Sequence, residues 1–182
     1  MNNISSNLVG REAPAFTLPS TKNLAELDQS VSLTDYKGSW LVLFFYPRDF
    51  TFVCPTEIQS LAAHYSKLQE LEVDVLGVST DSTFTHRAWI QAPKATGGLG
   101  ELPFVLGADS THKMSKNYGV FIPEEGCSQR ALFIIDPEQK VRYQLVNDLQ
   151  VGFNVQEIIR VISALQTGAL CPANWNPGEK TL

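Results

Sequence analysis

Trp40 to Tyr46, WLVLFFY, is an unbroken run of large apolar residues with no polar residue to mark a solvent face. A strand of this kind has to be covered on both sides, which places it inside a sheet flanked by two layers. The run ends at Pro47, and the loop PRDFTFV delivers the chain to Cys54 and then to a helical pattern. Pro55 fits a first turn that has no use for its missing N–H, and Glu57 meets the positive helix end. Ile58, Leu61, Ala62, Tyr65, Leu68 and Leu71 then recur at steps of three and four, which predicts one buried helix face through residue 71. Buried strand, short loop and amphipathic helix point to an α/β fold with a thiol at a helix N-terminus.

The alternation continues along the chain. Asp74 to Thr80 reads as a second buried strand and Ser82 to about Gln91 as a helix. Pro103 to Leu106 follows as a third strand and Ser110 to Tyr118 as a short helix. Pro93 to Gly100 interrupts regular structure between them, and Gly119 to Gly126 reads as a loop or strand edge. Arg130 to Ile135 and Val141 to Val146 predict an antiparallel pair across the turn DPEQK. Val155 to Leu165 is the last helix. Ahead of the central run, Ala15 to Leu18 and Val31 to Leu33 read as edge strands that cap the sheet. The expectation is a central mixed sheet with helices on both faces over residues 1–165. A tail rich in Pro, Asn and Gly, residues 166–182, carries Cys171 and Trp175 and suggests docking elsewhere.

A chain of 182 residues is long enough for one full core without metal or disulfide staples. A formal net charge of −5 and no basic cluster argue against a nucleic-acid partner. No stretch of eighteen apolar residues and no signal-like apolar core occur, so no membrane partner and a cytoplasmic location are expected. Three cysteines, an odd number, do not form a secreted disulfide framework. His64, His86 and His112 match no metal-ligand spacing and read as surface or internally satisfied histidines.

The chemistry centres on Cys54. The thiolate is the nucleophile, a free cysteine ionises near about pH 8.5, and a helix N-terminus favours the anion. A disulfide reductase of the CxxC kind would carry a second thiol three residues on, and Glu57 occupies that position. A resolving thiol must therefore lie far along the chain, at Cys127 or Cys171, and the tail position of Cys171 makes it the better candidate. Attack of one activated thiolate on a peroxide O–O bond needs a hydroxyl to hold the oxygens and a fixed cation for the leaving oxygen. Thr51 and Arg130 can supply these, while Pro47 shields the thiol and shapes the loop. Singly, each also fits a plain role: strand terminator, turn residue and surface cation.

FYPRDFTFVCPTE around Cys54 resembles the peroxidatic-cysteine signature of peroxiredoxins, and GALCPANW at Gly168 to Trp175 is similar to the resolving-cysteine segment of their typical two-cysteine group. That group includes the peroxidase component of the alkyl hydroperoxide reductases and the thioredoxin peroxidases. RALFIID at 130–136, STDS at 79–82 with His86 and Trp89, and VNDL at 146–149 match it as well. The resemblance implies a thioredoxin-like fold and a head-to-tail homodimer, often a decamer of five dimers. It implies catalytic roles for Cys54, Thr51, Arg130, Pro47 and Cys171, with Glu57 in support. Hydrogen peroxide and alkyl hydroperoxides would be the substrates, reduced through a Cys54 sulfenic acid and a Cys54–Cys171 disulfide between two subunits. Thioredoxin or a flavoprotein disulfide reductase would restore both thiols, with no metal or bound cofactor. A binding-class alternative is a ring-forming holdase chaperone or a peroxide-sensing relay.

Three positions depart from the family pattern. Phe153 stands where an arginine usually follows the VNDLPVG segment, so Glu57 is expected to pair with Arg130 alone, leaving Arg130 differently oriented or less constrained, unless Phe153 is a tolerated packing swap. Cys127 replaces an aliphatic residue and reads as a small buried apolar side chain. Oxidation-sensitive members combine a GGLG loop, here Gly97 to Gly100, with a C-terminal helix for which the chain ends too soon after Cys171, which predicts easy local unfolding and disulfide formation that outruns sulfinic acid formation.

Overall fold

The computed structural model describes residues 7–182; the first six residues of the expected 1–165 unit lie outside the described residues. The apolar run forms β3 (Trp40–Phe45), at the centre of a five-stranded sheet ordered β5-β4-β3-β8-β9. Its neighbours are β4 (Val73–Ser79), parallel, and β8 (Arg130–Ile135), antiparallel. β5 (Val105–Ala108) extends the parallel side and β9 (Val141–Asn147) the antiparallel side. The sheet is mixed, as expected, because a helical crossover joins β3 to β4 while the tight 136–140 turn joins β8 to β9.

Alternation along β3 explains its composition. Val42, Phe44 and Tyr46 enter one core with α1 (Cys54–Ala63), α2 (Tyr65–Glu70), α3 (Thr83–Gln91) and α5 (Val155–Gln166). Leu41, Leu43 and Phe45 enter the other with α4 (Lys113–Asn117) and the N-terminal segment. Every residue from Leu41 to Tyr46 is fully buried. Helices cover both faces, although on the second face the short α4 shares the work with the N-terminal ribbon.

Four local expectations shift. The N-terminal strands, β1 (Thr17–Pro19) and β2 (Ser30–Ser32), pair with each other rather than along the main sheet, which they touch at the Ser20–Gly107 bridge. The helix predicted through residue 71 breaks at His64 (φ −102°, ψ 8°), whose ring Nδ1 lies 2.8 Å from the Ser60 carbonyl. The apolar periodicity continues across the break, so it cannot reveal it. The third strand begins two residues later than Pro103, and the loop after α4 contains a hairpin, β6 (Phe121–Ile122) with β7 (Cys127–Ser128).

The tail is seated on its own chain. Trp175 is buried, its indole N–H donates to the Glu179 carbonyl at 3.1 Å, and its carbonyl accepts from Arg160 Nη1 of α5 at 3.0 Å.

Candidate active site

Cys54 is the first residue of α1, and Pro55 sits in the first helical turn where it forfeits no hydrogen bond. The thiol is fully buried. Arg130 opens β8, one step beyond the Phe45–Ala131 pair, so its side chain falls on the same face as Leu132 and Ile134, the face that α1 covers. Strand register thus carries a guanidinium to a thiol 76 residues away: Arg130 Nη1 lies 3.3 Å from Cys54 Sγ.

Glu57 lies one turn along α1 from Cys54 and therefore on the same face. Its Oε2 accepts from Arg130 Nη1 at 2.6 Å, and its Oε1 accepts from the backbone N–H of Phe153 at 3.2 Å. Arg130 Nε donates to the Leu149 carbonyl at 2.6 Å. Both side chains are almost fully buried, at 6% and 2% exposure for Arg130 and Glu57. Burial pushes the Glu57 carboxyl up, and the Arg130 guanidinium and the Phe153 N–H oppose that without cancelling it.

The departure at position 153 has a structural counterpart. Phe153 packs its ring edge-on against Phe44, 5.8 Å between centroids, and serves Glu57 through its main chain. Among the described residues Glu57 pairs with Arg130 as its only side-chain cation, as expected. Arg130 is nevertheless not left loose, because the Leu149 carbonyl fixes its Nε.

Of the other expected site residues, Pro47 is buried at the end of β3. Thr51 is half-buried and its hydroxyl donates to the Arg48 carbonyl at 3.0 Å, which leaves its oxygen lone pairs for another donor. Cys171 does not join this group. It is half-buried beside the C-terminal end of α5, 3.5 Å from Thr167 Oγ1 and 3.7 Å from the Ala164 carbonyl.

Sequence reasoning missed what holds the loop. Asp49 is buried, and its Oδ2 lies 2.7 Å from His86 Nδ1 while its Oδ1 accepts from the Tyr46 hydroxyl at 2.8 Å. His86 Nε2 faces the Gly107 carbonyl at 3.3 Å; a carbonyl only accepts, so this nitrogen carries hydrogen. The Asp49 N–H donates to Asp81 at 3.0 Å, and Arg48 donates to the Glu125 carbonyl. These bonds tie 46–49 to α3, β5 and the β6–β7 hairpin. Burial pushes the Asp49 carboxyl up, opposed by His86. Phe50 takes a left-handed φ of 55°, a strained conformation for a bulky residue in the loop that presents the thiol. The signal for this network, Tyr46 and Asp49 flanking Pro47 with a lone His86 downstream, has no spacing rule to make it visible.

Cys127 is buried in β7, and burial pushes its thiol up while Arg48 acts in the opposite sense. A thiol kept protonated is a poor nucleophile, which agrees with the reading of a small apolar side chain. Among the described residues no group of three or more His, Cys, Asp or Glu side chains could hold a metal ion, and no helix is long and apolar enough to cross a membrane.

A thioredoxin-like α/β sheet that presents one buried thiol at a helix start, with a guanidinium on its sulfur and no second cysteine in the same turn, defines a thiol-dependent oxidoreductase. Comparison with known proteins narrows this. The AhpC/TSA family model matches residues 9–144, and the C-terminal domain of 1-Cys peroxiredoxin matches residues 164–182, the segment that here contains Cys171. Peroxiredoxin-2 of Cricetulus griseus is 48% identical over 178 residues, covering 96% of this chain and 89% of its own. Peroxiredoxin 2 of Drosophila melanogaster is 47% identical over 176 residues, covering 94% and 90%. The reduced 2-Cys peroxiredoxin of Plasmodium vivax superposes with a TM-score of 0.91 at 40% identity, covering 96% of this chain and 92% of that one. AhpC of Enterococcus faecalis gives 0.82 at 33%, covering 91% and 99%. The chain belongs to the AhpC/TSA family of peroxiredoxins and is a thiol peroxidase.

Proposed function

We propose that this peroxidase reduces hydrogen peroxide and alkyl hydroperoxides by attack of the Cys54 thiolate on the O–O bond. The observation that carries the reading is the Arg130 guanidinium 3.3 Å from Cys54 Sγ. Sulfur takes the terminal peroxide oxygen, the O–O bond breaks, and water or an alcohol leaves with a proton, so that Cys54 becomes a sulfenic acid. Arg130 stabilises negative charge on the leaving oxygen, Thr51 Oγ1 accepts a hydrogen bond from the peroxide, Pro47 keeps water from the sulfur, and Glu57 holds Arg130 in place.

Resolution falls to Cys171 of a second copy. Its S–H condenses with the Cys54 sulfenic acid to a disulfide and water, and a dithiol, thioredoxin or a flavoprotein disulfide reductase, returns both thiols. Cys54 is fully buried and faces Arg130, so its first helical turn must open for this step. Division into a 1–165 peroxidase unit and a 166–182 tail supports such a cycle, since the tail reaches the body through few bonds. A homodimer, and a decamer of five dimers, would suit two features: among the described residues β9 stands last in the sheet order with no further strand beyond it, and Phe50, Phe52 and Phe84 are exposed. Reducible cysteines used in turnover fit the cytoplasm. The test is non-reducing mass spectrometry after one equivalent of peroxide. The expected product is a Cys54–Cys171 link between two subunits, and a Cys54–Cys127 link or no link at all would overturn the assignment.

A further inference from the structure

One guanidinium nitrogen serves two acidic side chains in this site. Arg130 Nη1 stands 2.6 Å from Glu57 Oε2 and 3.3 Å from Cys54 Sγ, so the carboxylate and the sulfur lie within about 6 Å of each other. The other hydrogen bond to Glu57 is from a neutral group, the Phe153 N–H. Arg130, from β8, is the charged group that acts on Glu57; the Cys127 thiol of β7 is near enough to feel the Cys54 charge, with Arg48, Glu125 and Asp81 also acting on Cys127.

With Glu57 ionised, Glu57 and Arg130 cancel, and forming the Cys54 thiolate leaves a buried cluster with one uncompensated negative charge. With Glu57 neutral, the same ionisation takes the cluster from one positive charge to none. Burying net charge is unfavourable, so the second route is the easier one.

We propose that Glu57 both positions Arg130 and restrains Cys54: its carboxylate draws on the one cation the thiolate needs, and the charge on Glu57 sets the acid limb of the peroxidase. This rests on Cys54 being the attacking thiol. Two unit charges about 6 Å apart at a partly buried site interact strongly enough to change the thiolate population about tenfold or more.

The test uses the full-length protein as wild type, Glu57→Gln, Glu57→Ala and Cys54→Ser, with single-turnover peroxide rates by stopped flow at pH 6 and pH 9. Gln keeps an acceptor for Arg130 and for the Phe153 N–H while removing the charge. The expected result is that the ratio of the Glu57→Gln rate to the wild-type rate is about tenfold larger at pH 6 than at pH 9, whereas Glu57→Ala is slowed at both. A Glu57→Gln ratio equal at the two pH values would reduce Glu57 to a holder of Arg130 and overturn the inference. Should Glu57→Gln fail to fold, Phe153→Arg brings a second cation to an intact Glu57; it should raise the pH 6 rate, and no rise overturns the inference equally. Peroxide consumption that survives in Cys54→Ser would instead defeat the underlying reading of Cys54.

Discussion

Arg130→Met should unfold the protein more readily than its position at a strand end suggests. The substitution keeps a long apolar stem and removes the cation, so Glu57, 2% exposed, is left with only the Phe153 N–H at 3.2 Å. Breaking a buried pair by removing one partner costs about 3–5 kcal/mol, because the remaining charge is uncompensated. The Leu149 carbonyl loses its donor as well, which adds about 1 kcal/mol. Against a total stability of about 5–15 kcal/mol, the expected loss is a large fraction, and at about 2–4 °C per kcal/mol the melting temperature should drop by roughly 8–24 °C. Urea denaturation of wild type, Arg130→Met, Glu57→Gln and the double variant closes a thermodynamic cycle. The double variant should recover most of the loss, since no uncompensated carboxylate remains, while the peroxide rate stays down by about a hundredfold or more. A loss under about 1 kcal/mol in Arg130→Met, or a double variant no more stable than that single one, would mean that water reaches Glu57 and that the burial argument is wrong.

Asp49 makes stability depend on pH. Its carboxyl is raised above the usual 3.8, so the native chain holds a proton that the unfolded chain has released; this stabilisation is complete below about pH 4 and is lost as pH rises through the native value. Glu57, raised likewise, adds a slope of the same sign, so Asp49→Asn should lower but not abolish the slope of urea midpoints between about pH 4 and 7, and a slope equal to that of wild type would remove Asp49 as a source. Cys171→Ser should complete one peroxide turnover at an unchanged rate and then stop with a dithiol reductant, accumulating Cys54 sulfinic acid that intact wild type avoids; sustained turnover would remove Cys171 from the cycle. Trp175→Ala removes a buried indole that braces the tail internally through the Glu179 carbonyl, next to the point where the Trp175 main-chain carbonyl accepts from Arg160 of α5, and should speed chymotryptic cleavage at the exposed Leu170 at least tenfold with little change in the melting temperature of the body. An unchanged cleavage rate would show that Trp175 does not hold the tail.

The two halves of the redox centre differ in how legible they are in the sequence. Cys54, Pro55 and Glu57 follow from local rules, because capping and helical spacing act over one turn. The tail cysteine is visible as a segment and invisible as a position: nothing in GALCPANW tells whether it rests on its own α5, as Cys171 does. Likewise the apolar period through residue 71 concealed the break at His64, since periodicity reports a buried face and not the continuity of the helix beneath it.

What the chain alone determined is the part encoded by short-range chemistry: a strand apolar on both faces, a thiol at the start of the following helix, a mixed sheet from one crossover and one tight turn, and the identity of the cation at Arg130. Tertiary structure decided the rest. The register of β8 against β3 placed that cation on the sulfur, the 148–153 loop supplied a carbonyl and an N–H where side-chain identity is irrelevant, and the distant His86 closed a buried network with Tyr46 and Asp49 behind the loop. Backbone donors and long-range buried bonds leave no periodic trace, because they depend on where the chain passes and not on which residue it carries there.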